Sequence, residues 1–190
     1  MNRYINLYTE ANPNPNSMKF VANVMLVDEG ITYDFPTLES ATESPLAQEL
    51  FTLPYVQRVF VMNNFVTVTK SEQFDWHDIV GQLKQDIKLY LEQNKPVIKT
   101  ENVANSLTIY ADEPEIDTRI KQILDEYVRP AVESDGGFIG FHSFENGVVK
   151  VLLQGSCSGC PSSAVTLKMG IENLLKRMIP EVETVVAEGV

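Results

Sequence analysis

The sequence predicts an α+β protein: two small two-layer α/β sandwich domains, residues 1–92 and 115–190, joined by a linker over 93–114, with the second domain running α-β-β-α-β. Three observations carry this expectation. Short runs that alternate apolar and polar residues, as half-buried strands do, are interspersed with longer runs whose apolar residues recur every three or four positions, as in amphipathic helices. Both halves place a hairpin before a helix: Tyr55 to Thr69 before Phe74 to Leu91, and Phe138 to Leu153 before the segment after Pro161. Between them the pattern fades from about Gln93 to Glu113, where Asn94, Pro96, Asn102, Asn105 and the acidic Asp112-Glu113-Pro114-Glu115 interrupt it.

Arg3 to Thr9, with Tyr4, Ile5, Leu7 and Tyr8, reads as the first strand. Asn12-Pro13-Asn14-Pro15-Asn16 stops it, because each proline removes a donor and restricts the residue before it; a rigid connection between two strands is expected there. Met18 to Val27 is a strand pair or one long bent strand, and Ile31 to Phe35 is a short strand ended by Pro36. Ser44 to Phe51 reads as a short helix, with Ser44 as the cap and Pro45 in the first position, where a missing N–H costs nothing. Tyr55 to Met62 and Phe65 to Thr69 meet at Asn63-Asn64, and asparagine tolerates the positive φ such a turn needs. Trp76, Ile79, Val80, Leu83, Ile87, Tyr90 and Leu91 form the stripe of a long helix laid on the sheet. Trp76 belongs to that stripe and His77 to an exposed helix start, so both are read as structural.

In the second half Ile116, Ile120, Ile123, Leu124, Tyr127 and Ala131 make a further helical stripe, with acidic residues at its start where the helix dipole favours them. Asp135-Gly136-Gly137 turns the chain into a strand, Phe138 to Phe144. The glycines are expected to supply positive φ, and Asp135 is read as a turn residue, not a catalytic acid. Glu145-Asn146-Gly147 closes the hairpin with Val148 to Leu153. The helix beyond Pro161 buries Ala164, Leu167, Ile171, Leu174, Leu175 and Met178; Pro180 ends it, and Val182 to Val186 returns as a last strand.

An apolar content of 44% and a charged content of 22% are ordinary for a globular chain. The net charge of −11 is spread evenly, with 7 basic against 12 acidic groups in residues 1–95 and 8 against 14 in the rest. Phosphate backbones and anionic lipid surfaces repel such a chain, so neither nucleic acid nor membrane is an expected partner. No stretch reaches the ~20 apolar residues of a membrane span. Residues 1–5 show no apolar or arginine-rich leader, two cysteines give no disulfide framework, and the expected location is the cytoplasm. No Ser-His-Asp constellation, phosphate-binding glycine loop or paired-carboxylate site is visible, so an enzyme is not expected.

The chemistry gathers in Gln154-Gly155-Ser156-Cys157-Ser158-Gly159-Cys160-Pro161-Ser162-Ser163, which holds the only two cysteines, where a strand turns into a helix. A thiolate placed there meets unpaired backbone N–H groups and the positive end of the helix dipole, and both favour the anion. Structural zinc needs about four ligands, and neither His77 nor His142 lies at finger-like spacing from the pair. A redox dithiol needs only Cys157 and Cys160, and a thioredoxin-like CxxC also opens a helix. A cubane iron-sulfur cluster takes four thiolates, of which one chain supplies half and a second copy, across a two-fold axis, the other half. No charged side chain lies between Lys150 and Lys168, which suits a docking face better than it suits a lone reactive thiolate. The hairpin before the pair tells against the redox reading, since a thioredoxin-like domain sets its CxxC in a parallel βαβ frame. Plain surface-turn cysteines are the fourth reading.

Asp135-Gly136-Gly137, the run Leu153 to Ser163, Thr166-Leu167-Lys168 and Ile179-Pro180-Glu181-Val182 closely resemble the C-terminal domain of the NifU/Nfu iron-sulfur scaffold family, over about residues 115 to 188. Asn12 to Phe20, Ser44-Pro45-Leu46-Ala47 and Phe65-Val66-Thr67-Val68-Thr69-Lys70 resemble the Nfu N-terminal domain. The order is similar to that of two-domain Nfu proteins and not to nitrogen-fixation NifU, which has further cluster-binding domains in front. The resemblance implies a noncatalytic carrier whose cluster ligands fall on Cys157 and Cys160. It further implies a labile 4Fe-4S cluster bridging the two subunits of a homodimer, received from upstream donors and passed to client apoproteins. Ligand exchange with a client requires exposed thiols, and the expected layout puts them on the rim of the second domain. A CxxC thiol-disulfide oxidoreductase is the alternative.

Overall fold

The computed structural model describes residues 4–99, 114–158 and 161–189. Two units, Met1–Leu107 and Thr108–Val190, each mix strands with helices, so the chain is α+β as the patterning predicts. Among the described residues no helix is long and apolar enough to cross a membrane.

The first unit is built on an antiparallel sheet of β1 (Leu7–Ala11), β2 (Ser17–Ala22), β3 (Thr32–Phe35), β4 (Val56–Met62) and β5 (Phe65–Lys70), in spatial order β1-β2-β5-β4-β3. Strand alternation sorts the side chains. Phe20, Val59, Val61, Val66 and Val68 join one core with Leu46 and Leu50 of α1 (Pro45–Leu50) and Ile79, Leu83 and Ile87 of α2 (Trp76–Glu92). The opposite face is buried as well, with Val21, Phe60, Met62 and Phe65 all at 5% exposure or less. Burial on both faces is the reason these strands read as nearly continuous apolar runs. On that second face the Arg58 guanidinium donates to both carboxylate oxygens of Asp34, at 2.7 and 2.6 Å, and clips β4 to β3. β2 stops at Ala22, earlier than the apolar run suggests. The chain beyond it wraps around the β4–β5 turn, where Asn63 has a φ of +48° and its carbonyl accepts from the N–H groups of Leu26 and Val27.

The Asn-Pro repeat is a rigid β1–β2 connection pinned from three sides. Asn14 Oδ1 accepts from the Asn16 N–H at 3.0 Å, and Ser17 Oγ donates to Asn12 Oδ1 at 2.7 Å. The buried Lys70 ammonium donates to Asn16 Oδ1 at 3.2 Å and lies 5.7 Å from the Trp76 ring centre. Trp76 Nε1 donates to the Pro15 carbonyl at 2.9 Å, so this indole has a polar task as well as an apolar one. Trp76→Phe should cost about 0.5–1.5 kcal/mol, the usual net value of one such bond. Urea unfolding of the full chain measures it, and an unchanged midpoint would show that the pin contributes nothing.

Ser44 caps α1 as the sequence predicts, its Oγ accepting from the Ala47 N–H at 3.0 Å while donating to the Val97 carbonyl at 2.8 Å. That second bond involves residues the sequence placed in the linker. The Lys99 N–H donates to the Glu43 carbonyl at 2.7 Å, the Tyr90 hydroxyl to the Pro96 carbonyl at 2.7 Å, and Val97 and Ile98 pack on the first core. Burial, with the Glu49 charge adding to it, pushes the Tyr90 phenol up to about 12, so it stays a donor at ordinary pH. Residues 96–99 therefore fold with the first unit; the remaining stretch to Glu113, including Ser106 to Tyr110, a run whose sequence is also compatible with an extended docking segment, lies outside the described residues.

The second unit has a sheet of β6 (Gly137–Glu145), β7 (Val148–Gly155) and β8 (Thr184–Gly189) in that order, with α3 (Glu115–Ile123), α4 (Arg129–Ser134) and α5 (Pro161–Met178). The β6–β7 turn is Asn146-Gly147, with φ of +50° and +80°. Between α3 and α4 the helix makes a π turn over Leu124–Val128. Its physical reason is Pro130, which has no N–H to give the Glu126 carbonyl, and a wider turn absorbs the missing bond. The extra residue shifts the apolar phase by one: Ile120, Ile123 and Leu124 are buried as expected, but Val128 and Val132 go inward in place of Tyr127 and Ala131, which are exposed.

β8 runs parallel to β7, whereas β6 runs antiparallel to it. The unit β7-α5-β8 is thus a parallel βαβ frame, and the CxxC leads from its first strand into its helix. The topological argument against a redox site does not hold. A strand can have both kinds of neighbour, and the hairpin reports on only one of them.

Glu172 ties α5 to β8: its carboxylate accepts from Thr184 Oγ1 at 2.9 Å and from the Val185 N–H at 3.0 Å, and pairs with Lys176 at 2.6 Å. Lys176 above all, then the Val185 N–H and the Thr184 hydroxyl, lower its pKa to about 2. A folded value below the ordinary 4.5 means a contribution that is fully present above that range and is lost as the pH falls towards 2. Glu172→Gln should melt below wild type at neutral pH, and the gap should close by about pH 2. A gap that stays constant across the titration would remove the carboxylate from the account.

Candidate functional site

The site is assembled by the two ends of the β6–β7 hairpin. Register pairs Gly137, the first residue of β6, with Gly155, the last of β7. Gly136 (φ +76°) and Gly155 (φ +66°) both adopt the left-handed backbone that glycine alone enters freely. Through them the 155–158 loop folds back over the start of β6. The Ser156 N–H donates to the Gly136 carbonyl at 3.3 Å, Ser156 Oγ donates to the Asp135 carbonyl at 2.5 Å, and the Ser158 N–H closes the turn on the Gly155 carbonyl at 3.1 Å.

Gly137 serves a different purpose from Gly136, since its φ is not in the left-handed region. A Cβ there would stand 2.8 Å from the Gln154 carbonyl oxygen, 2.9 Å from Cys157 Sγ and 3.2 Å from Ser156 Oγ. The missing side chain leaves the slot that the Cys157 thiol enters. Cys157 is consequently 8% exposed and belongs to the second core, flanked by Ser156 at 2% and Ser158 at 7%. The expectation of an exposed rim thiol is corrected at this residue. Cys160 lies outside the described residues.

Asp135 contributes its backbone carbonyl to the loop, in keeping with a turn residue. Of the two histidines, His77 is exposed at the start of α2, and His142 Nδ1 lies 3.4 Å from the Glu188 carboxylate. Among the described residues no three of His, Cys, Asp and Glu converge to hold a metal ion. Linear charge counting missed one basic group. The Arg129 guanidinium, paired with Asp125 at 2.6 Å, lies 5.0 Å from the ring centre of Phe138, the residue beside Gly137.

The second unit thus runs α-β-β-α-β with a CxxC between its second strand and last helix, and in sequence it follows an α+β unit with the Asn-Pro connection between β1 and β2. The NifU-like domain family matches residues 120–186, and the family described as scaffold protein Nfu/NifU N terminal matches residues 7–94. Proteins named NFU1 iron-sulfur cluster scaffold homolog, mitochondrial, from Drosophila persimilis and Drosophila willistoni are each 42% identical to this chain over 179 residues, 94% of its length. The chain spans 64% and 62% of those relatives, less than two thirds of their length. The solution structure of a NifU-like protein from Saccharomyces cerevisiae is 26% identical, covering 53% of this chain and 92% of that one with a TM-score of 0.47. The chain belongs to the NifU/Nfu-like iron-sulfur scaffold family.

The relatives are named as mitochondrial proteins, which overturns the cytoplasmic expectation. That expectation rested on the lack of a leader in residues 1–5. The relatives are longer than this chain, so the lack carries no weight.

Proposed function

We propose that this chain is a noncatalytic carrier that accepts a 4Fe-4S cluster, holds it between two copies through Cys157 and Cys160 of each, and passes it to client apoproteins. The observation that carries the reading is the joint match of both halves to iron-sulfur scaffold domains, in a chain whose only two cysteines form the CxxC. Two thiolates per chain are half of a cubane's ligand set, so a second copy completes it. The cluster is cargo. Each thiol must lose its proton to bind iron, and each thiolate must be displaced by one from the client for the cluster to leave.

The inward thiol of Cys157 bears on loading. To meet iron it has to leave the Gly137 slot, and the two left-handed glycines, Gly136 and Gly155, sit at the points where the loop would turn. Anaerobic loading followed by mixing with an apo-ferredoxin that has four ligand cysteines tests the function. Transfer restores the ferredoxin's electron-transfer activity, and loading without any transfer would leave a storage protein and not a carrier.

One observation favours a second reading. The parallel β7-α5-β8 frame is the setting a thiol-disulfide oxidoreductase uses for its CxxC. Cycling between dithiol and disulfide at a cellular redox potential, in a chain that takes up no iron or sulfide, would establish it.

A further inference from the structure

Both cysteines lie in the second unit, so the first unit takes no part in the ligand set proposed above. It does carry a groove. Between α1, the turn after it and the second half of α2 lies a cavity of about 240 Å³. Leu50 and Leu53 line it from one side, Leu89 and Tyr90 from the other, with Glu49 and Asp86 beside them. Leu89 is 45% exposed, although Ile87, Tyr90 and Leu91 of the same helix are buried.

Size, backbone and charge select the occupant. Small-molecule pockets run to about 300–1,000 Å³, so this smaller groove suits the anchoring side chains of a larger partner. It is lined by two helices and a turn and by no strand edge, so an extended peptide would find no ladder to join. A helix, which pairs its own backbone, needs none. The charged side chains of the lining are both carboxylates. Glu49 already takes an ammonium from this chain: Lys95 Nζ lies 3.3 Å from its carboxylate and 5.0 Å from the Tyr90 ring centre. Asp86 accepts from Gln82 Nε2 at 2.7 Å, but among the described residues no cation pairs with it. Burial, and after it the charge of Asp86, raises the pKa of the Tyr55 phenol, so the field of this carboxylate reaches into the core. A second copy, at net charge −11, is repelled from such a site.

We infer that the α1–α2 groove is a docking site for a basic amphipathic helix of a partner protein. The helix seats an aliphatic side chain against Leu53 and Leu89 and sets a lysine or arginine on Asp86. This recognition needs no cluster, and it stands apart from the carrier reading.

The test uses the full apo chain, labelled with nitrogen-15 and titrated with synthetic helical peptides of leucine, alanine and lysine. Lysine is placed three or four positions from the anchor leucine, on the same helix face. Peptides with glutamate in place of lysine are the control. The lysine peptides should shift the amide signals of Leu53, Leu89 and Gln93, and the glutamate peptides should leave them unmoved. Asp86→Lys should weaken binding at least about tenfold, because like charges set against each other cost several kcal/mol. Leu89→Ser should weaken it too, by removing the apolar contact. Glu29→Lys makes the same change in net charge outside the groove, and screening should hold its effect below about threefold. Circular dichroism checks the fold of each variant. The inference is overturned if no lysine peptide moves these signals, if the glutamate peptides bind as well, or if Asp86→Lys and Glu29→Lys weaken binding equally, which is general attraction to an acidic protein. Self-association of the chain alone that Asp86→Lys abolishes would make the occupant a second copy, and would overturn it as well.

Discussion

Gly137→Ala should unfold at lower urea than wild type and should make Cys157 react with an alkylating reagent many times faster. The new methyl would stand 2.8 Å from the Gln154 carbonyl oxygen and 2.9 Å from Cys157 Sγ, closer than real Cβ contacts come. The carbonyl is fixed by the β6–β7 ladder, so the thiol is the group that moves. Overpacking of this kind costs about 1–3 kcal/mol. Once out of the slot, Cys157 loses the burial that holds it at 8% exposure and meets solvent. Urea midpoints and the alkylation rate of the Cys157 peptide by mass spectrometry measure the two consequences separately. An alanine variant with wild-type stability and wild-type thiol reactivity would mean that the loop does not rest on β6.

Cys157→Ser should do two things that a surface cysteine would not do together. Under the carrier proposal it removes a cluster ligand, and uptake of iron and sulfide falls to background. It also replaces a core thiol by a hydroxyl that must find a hydrogen-bond partner, at about 1–3 kcal/mol if none is found. The sequence alone points to a variant with an intact and unaltered apo fold, because it places both thiols on the rim. The burial of Cys157 in the second core changes that expectation. Cluster loss with unchanged stability would contradict the burial; retained cluster would contradict the ligand assignment. Cys157→Ala separates the effects further, since it deletes the ligand without adding a polar group.

Features set by a residue and its near neighbours were the ones open to reading from sequence. Ser44 before Pro45 announced its cap, and Asn63 and Asn146-Gly147 announced their turns. What escaped depended on partners distant in sequence or on backbone phase. Nothing in the apolar pattern of Val182 to Val186 says that β8 will run parallel to β7. The π turn moved the buried positions from Tyr127 and Ala131 to Val128 and Val132, and Pro130 inside a helical stripe was the available warning. The Cys157 slot was within reach. Counting back from the Asn146-Gly147 turn pairs Gly137 with Ser156, one residue off the observed Gly155 because a bulge between Phe141 and Ser143 shifts the register, and even that count would have put the two glycine motifs in contact and raised the question of what fills the space between them. The compartment was not legible, because a chain that spans less than two thirds of its relatives does not report on leaders.

The central claim is that one cluster is held by the CxxC pairs of two copies. The measurement that meets it most directly is anaerobic reconstitution with iron and sulfide, with iron content, sulfide content and molecular mass determined on the same size-exclusion peak. The account predicts about four irons and four sulfides per two chains, at the mass of a dimer. A colourless monomer that merely cycles between dithiol and disulfide, or a coloured monomer with a full cluster on one chain, would contradict it.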